Sequence, residues 1–418
     1  MPHTQRAFSI FIAIAMLAAA MFGTQPQRAH AADDWVDAST IIVTTLLDKI
    51  DPNDGFCSLR EAMQRAFDNS LNNQVANDCP QSPSGNTQIK FGVAGNIVIS
   101  NGVNAGTLPD VRNIVTLVGP ITINAANAQQ ILFDVESDGK LNLINVNIKN
   151  AKWTAIDSRG ELKIAGGTFE NNSAGGAGGG AIRNDGTAII AGATFINNKA
   201  VKKSAGEAEK DGGAIRSTWV LTVTGSTFKT NTSDGEGGAI KIMAGRMSIV
   251  DSTFTGNVTQ GSFCANCYGA GGGAIATTDS GNVYPFTIKR SIFNGNAAQK
   301  GVGGAIVHRA DTLMTISDST FQGNHAGAPG FETLGGAIHN TQNMEIKRST
   351  FTANSVQGNG GAVSTEAGGF DRTLTLRMVA FAGNNASGKG GALASMGLSS
   401  SVAKIDAKGV QVSGNIAG

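Results

Sequence analysis

Two short marks alternate through most of this chain, and their spacing narrows the fold more than any bulk property. The first is Gly-Gly-Ala followed by an aliphatic residue, which occurs eight times, with Ile182, Ile215, Ile240, Ile275, Ile306, Ile338, Val363 and Leu393 in the aliphatic place. The second is Phe-x-x-Asn: Phe169–Asn172, Phe195–Asn198, Phe228–Asn231, Phe254–Asn257, Phe293–Asn296, Phe321–Asn324, Phe351–Asn354 and Phe381–Asn384. A degenerate last copy has Val412 in place of Phe and ends at Asn415. Consecutive Phe residues lie 26 to 39 residues apart, a period that means a stacked array of repeats.

Between the marks, "VLTVTGSTF" and "MSIVDSTF" alternate at strand period, with Leu221, Val223 and Ile249 on one face. No stripe of helical period is present, so helical arrays are excluded. Each unit reads as one turn of a right-handed parallel β-helix, with strands of successive turns about 4.8 Å apart. The glycines are predicted to stand where turns approach closely, and Phe to stack on the Phe of the next turn. Asn is predicted to take left-handed angles at a bend and to bond its copy in the next turn as a ladder. The marks are therefore assigned to core and corner. Residues 114–169 alternate without the glycine pair and supply the first turns.

The amino terminus reads differently. "MPHTQR", the apolar run Ala7–Phe22 and Ala29-His30-Ala31 make residues 1–31 a secretory signal peptide. No other segment approaches the length of a membrane-spanning helix. The whole chain has 32 basic and 31 acidic residues, and removing the leader takes away two arginines and no acid. Near-neutrality without a basic stripe argues against nucleic acid or an anionic membrane as partner. Residues 32–110 form a cap and first strands, and 111–418 the repeat region. In "CSLREAMQRAFDNSL" (57–71), Ser58 and Glu61 make a capping box. Leu59, Ala62, Met63, Ala66 and Phe67 share one helical face, suited to covering the exposed end of a β-solenoid.

Four cysteines, Cys57, Cys79, Cys264 and Cys267, favour two local disulfides in an exported protein. For Cys264 and Cys267, zinc or redox chemistry is the alternative, without second ligands or a βαβ pattern to support it. The position after each aliphatic residue holds Arg183, Arg216 and Lys241 in three successive turns, a basic row read as a solvated strand face. Asp185, Asp211, Asp234 and Glu236 lie near it in sequence. His308 and His339 have different offsets, and His325 opens a loop. Loops between Asn and the next glycine pair measure 6, 13, 5, 14, 6, 10, 5 and 5 residues. The long ones, 199–211, 258–271 and 325–334, are expected to project from one edge as a ridge, with Lys199, Asp211, Tyr268, His325 and Phe331 as contact residues. Trp219, Tyr268 and Tyr284 are the aromatic candidates for sugar stacking, and they do not recur with the repeat.

"CSLREA" at 57–62, set between "STIIVTTLLDKIDPNDGF" and "TQIKF", resembles the CSLREA N-terminal domain of exported bacterial proteins. The Gly-Gly-Ala-Ile and Phe-x-x-Asn pairs are similar to the polymorphic outer-membrane protein repeats of chlamydial surface proteins, and the two likenesses together cover about residues 39–415. The resemblance implies a right-handed β-helix displayed outside the cell and often associated with adhesion, and it supplies no catalytic residues. Surface proteins with these repeats often continue into a β-barrel anchor, whereas this sequence stops three residues after Asn415. Release, retention by another component and truncation remain the alternatives. The expected protein is a secreted or cell-surface adhesion or structural module without cofactor or metal. It is expected to meet extracellular polysaccharide or a surface protein, and to associate end to end through its last coil. A polysaccharide lyase or hydrolase is the competing reading, and a pure scaffold the third.

Overall fold

The computed structural model describes residues 39–71, 78–81, 85–100, 107–126, 128, 130–174, 176, 178–202, 210–261, 270–278, 284–328, 333–398 and 401–418. The leader, Cys264, Cys267, Tyr268 and Phe331 lie outside these residues. Alternation in the repeats resolves into turns of four short strands, for example Ile182–Asn184, Thr187–Ala191, Thr194–Ile196 and Lys199–Ala200. Equivalent strands pair in parallel, which builds a ten-stranded sheet, a broad 23-stranded sheet with two strands from most turns, and an eight-stranded sheet. The chain is thus an all-β parallel solenoid of about ten turns. Register follows the marks: Ile182, Ile215, Ile240, Ile275, Ile306, Ile338, Val363 and Leu393 are partners in succession.

The glycine pair has two causes. The first glycine has positive φ, as at Gly237 (66°) and Gly272 (70°), where a side chain would be strained. The second lies against the neighbouring turn: a Cβ on Gly238 would overlap the carbonyl oxygen of Gly273. Alanine and the aliphatic residue after them are buried in the core, except that Leu393 of the last mark is partly buried.

Phenylalanine fills the opposite wall. Rings from Phe169 to Phe381 stack in sequence with centroids 4.6–5.1 Å apart and interplanar angles of 3–19°. Each contact contributes about 0.5–1.5 kcal/mol beyond burial. Asn231 shows the ladder: its Nδ2 donates to Oδ1 of Asn257 at 2.9 Å and to the carbonyl of Phe195 at 3.0 Å. The left-handed angle, however, falls one residue before the ladder Asn, at Asn171, Asn197, Thr230 and Ala353 (φ 53–54°) and at Gly256, Gly295 and Gly323 (φ 60–61°). The residue before turns the corner so that the Asn side chain points inward. A serine ladder runs beside the rings and was not foreseen: the N–H of Ser226 donates to Oγ of Ser252, and that of Ser252 to Oγ of Ser291, each at 3.2 Å.

At the amino end, the strands Ser39–Val43, Asn86–Phe91 and Ile114–Asn124 pair successively into the broad sheet. Helix α1, Leu59–Leu71, covers them. Its capping box closes reciprocally: Ser58 N–H donates to Glu61 Oε2 at 2.9 Å, and Glu61 N–H to Ser58 Oγ at 3.1 Å. Leu59, Ala62, Met63 and Ala66 are buried, while Phe67 is half-buried beneath the guanidinium of Arg112. Cys57 and Cys79 form a disulfide across 22 residues. Arg60 is fully buried and holds Asp48 through two 2.8 Å bonds. All six residues Cys57–Ala62 thus hold the helix on the first turns.

Candidate functional site

The outward row of the ten-stranded sheet carries five charged residues on consecutive turns. Register extends it beyond the basic residues, reading Asp134, Asp157, Arg183, Arg216, Lys241, Ala276, Val307, His339, Ser364 and Ala394. The two acids were missed because their turns lack the glycine mark. Nor is the row a solvated face. Arg183 Nε donates to Asp157 Oδ1 at 2.7 Å, a bond that raises the guanidinium further above its ordinary value. Arg216 lies 4.0 Å from Asp185. Lys241, its side chain only 3% exposed, pairs with Glu236, which also pairs with Arg309. Burial pushes the Glu236 carboxyl up, but Lys241 and Arg309 outweigh it and hold it below the usual range.

Farther along, the row becomes apolar and then holds His339. Its Nδ1 is 2.8 Å from Ser364 Oγ, and its Nε2 lies 3.8 Å from Glu366 Oε2, beyond hydrogen-bond reach. Burial, reinforced by Arg309, lowers its pKa to about 3, so the ring is neutral. Ser364 is also fully buried. His308 sits one offset away, paired in register with Asn340, and its Nδ1 is 2.8 Å from Thr277 Oγ1.

The expected loop residues are placed differently from one another. Lys199 and His325 belong to two-residue strands of the eight-stranded sheet, because the chain continues one strand beyond the ladder Asn before leaving the turn. His325 is half-buried, with Nδ1 2.9 Å from Ser355 Oγ and Nε2 2.8 Å from the Gly327 carbonyl. Asp211 bridges to Gly178 in parallel and accepts the Glu236 N–H at 2.7 Å. Burial raises its carboxyl pKa against the pull of Lys241. The base of the loop containing 199–211 is fastened by Asp234, which accepts the N–H groups of Lys202 and Lys210 at 2.6 and 2.7 Å. Leu334, the last residue of the connection 325–334, packs with Val302 of the short connection before it against Ala276 and Val307 as a small apolar cluster.

A family model of the Chlamydia polymorphic membrane protein repeat matches residues 348–366, a segment holding one Phe-x-x-Asn and one glycine pair. No curated protein and no solved structure matches the chain. Among the described residues no helix is long and apolar enough to cross a membrane.

Proposed function

We propose that this chain is a surface-exposed β-solenoid that recognises extracellular polysaccharide or a surface protein and does not transform it. The observation that carries the reading is the commitment of the acid and base groups on the outward row of the ten-stranded sheet. Asp157 is held by Arg183, Glu236 by Lys241 and Arg309, and His339 is buried and neutral. General acid–base work needs such groups within reach of a substrate. The match to a Chlamydia polymorphic membrane protein repeat supports placement at an outer membrane or cell surface, and the long connections at every second turn supply recognition edges.

The test is incubation with arrays of extracellular glycans and surface proteins, following retention, new reducing ends and unsaturated uronates. Saturable retention without product is the expected result, and cleavage overturns it. A protein retained by nothing is a scaffold. Shortening the connections 199–211, 258–271 and 325–334 together is expected to weaken retention of protein targets.

A further inference from the structure

The corner leading from the ten-stranded into the broad sheet carries a ladder of its own. Two residues before equivalent inward positions of successive broad-sheet strands stand Gly139, Gly160, Gly186, Trp219, Gly245 and Tyr284. The three leading glycines floor a depression of about 360 Å³ that ends at Trp219. Its flanks carry Asp138, Lys140, Arg159, Glu161 and Asp185. Trp219 and Tyr284 are 43% and 40% exposed. Aromatic, glycine, aromatic on consecutive turns puts the backbone positions of Trp219 and Tyr284 about 10 Å apart, twice the strand spacing. The aromatics that do not recur in the linear sequence therefore do share one line.

Both are held in place. Gly245 lies tightly on the Trp219 backbone, with no room for a side chain. The Arg246 guanidinium stacks 5.3 Å from the Tyr284 ring centre, and Thr312 Oγ1 donates to the Tyr284 carbonyl at 2.8 Å. Four of the five flanking charges are paired: Lys140 reaches Glu161 at 3.5 Å, Arg159 reaches Asp134 at 2.7 Å, and Asp185 lies 3.9 and 4.0 Å from Arg183 and Arg216. They offer hydrogen bonds to hydroxyl groups, and the Asp138 carboxylate beside them disfavours an anion.

From this geometry we infer a binding site for an uncharged, extended β-linked polysaccharide lying along the corner. Sugar rings stack on Trp219 and Tyr284, two turns apart, a distance close to one disaccharide of such a chain. Hydroxyls of the rings preceding Trp219 meet Asp138, Glu161 and Asp185. A coiled α-linked chain does not keep that repeat, and an anionic glycan meets carboxylates at the groove's edge. The inference rests on the recognition reading above, but places the glycan on the corner instead of the loops.

The experiment is titration of the full chain with cellohexaose, followed by tryptophan fluorescence and saturation-transfer NMR, with maltohexaose and a polygalacturonate oligomer as controls. Binding of cellohexaose over both controls is expected. Trp219→Ala and Tyr284→Ala are each expected to weaken it by about two- to tenfold, the worth of one aromatic stacking contact. Both side chains are exposed, and an unchanged circular dichroism melt verifies folding. Affinity unchanged in the double variant, preference for either control, or no cellohexaose binding overturns the site. Retention of a protein target alongside any of those results leaves the recognition reading standing, whereas retention of no target at all defeats that reading separately.

Discussion

Asn198 and Asn231 are joined twice: the Asn198 backbone N–H and its Nδ2 both donate to the single Oδ1 of Asn231, at 3.0 and 2.9 Å. Repeated at each step, this arrangement satisfies buried backbone groups that the strands leave unpaired at the corner. Asn257→Ala removes the acceptor for Asn231 and a donor to the Phe228 carbonyl. The Asn231 N–H, the Asn231 Nδ2, the Phe228 carbonyl and Asn296 Oδ1 each lose a partner, so we expect a loss of about 3–5 kcal/mol, read from urea unfolding. Loss below 1 kcal/mol, about the net worth of one hydrogen bond, would show that the ladder is ornamental.

Glycines in the two kinds of corner are expected to respond differently. Gly238→Ala places a methyl group on the Gly273 carbonyl, and we expect failure to accumulate folded protein or a loss above about 3 kcal/mol. Gly256 has φ of 60°, and a Cβ there would meet only Thr230 Cγ2 at an ordinary 3.7 Å, so Gly256→Ala should cost about 1–2 kcal/mol. Thr230 and Ala353 already occupy equivalent places in other turns. Equal effects at the two sites would contradict the close-approach explanation.

Asp48→Leu leaves the Arg60 guanidinium buried without its carboxylate. The expected cost is about 3–5 kcal/mol. Adding Arg60→Met should recover much of that loss, since replacing both partners removes the unpaired charge. Hydrogen exchange in α1 is the direct readout. A double variant as unstable as the two single losses added together would mean that the pair is not coupled.

His339 gives the fold an acid sensitivity of definite sign. Its folded pKa is about 3 against an ordinary 6.5, so between those values the unfolded chain holds a proton that the folded chain lacks. Stability therefore falls as pH drops from about 6.5 toward 3, by up to about 1.4 kcal/mol per unit. His339→Gln should flatten that slope in urea titrations at pH 7 to 5. Glu236, held below its ordinary 4.5, also favours the fold when charged, and its contribution is lost only at more acidic pH. The variant should therefore keep its acid loss there. Identical slopes in both proteins would exclude the histidine as the cause.

What could be read in advance was whatever repeated with a large or conformationally special residue. Phe and the glycine pair announce a solenoid because their environments recur in every turn. Ser226 and Ser252 recur too, but serine is common at bends and carries no signal of burial. Asp134 and Asp157 escaped notice because alignment on the glycine pair begins only at Ile182. The corner line of Trp219 and Tyr284 was hidden for a related reason. Connections of unequal length separate them in sequence, and only register restores their two-turn spacing. Arg60 gave no hint of its partner, since burial of a charged pair has no periodic signature.

The Asn ladder bears on how such a chain changes length. Each rung presents the same donors above and the same acceptor below, so the joint between any two turns is interchangeable with the next. Excising one complete unit would bring two existing rungs together without inventing a new contact. Length is then a modular property, adjustable by duplication or deletion of units, with the capped end left untouched.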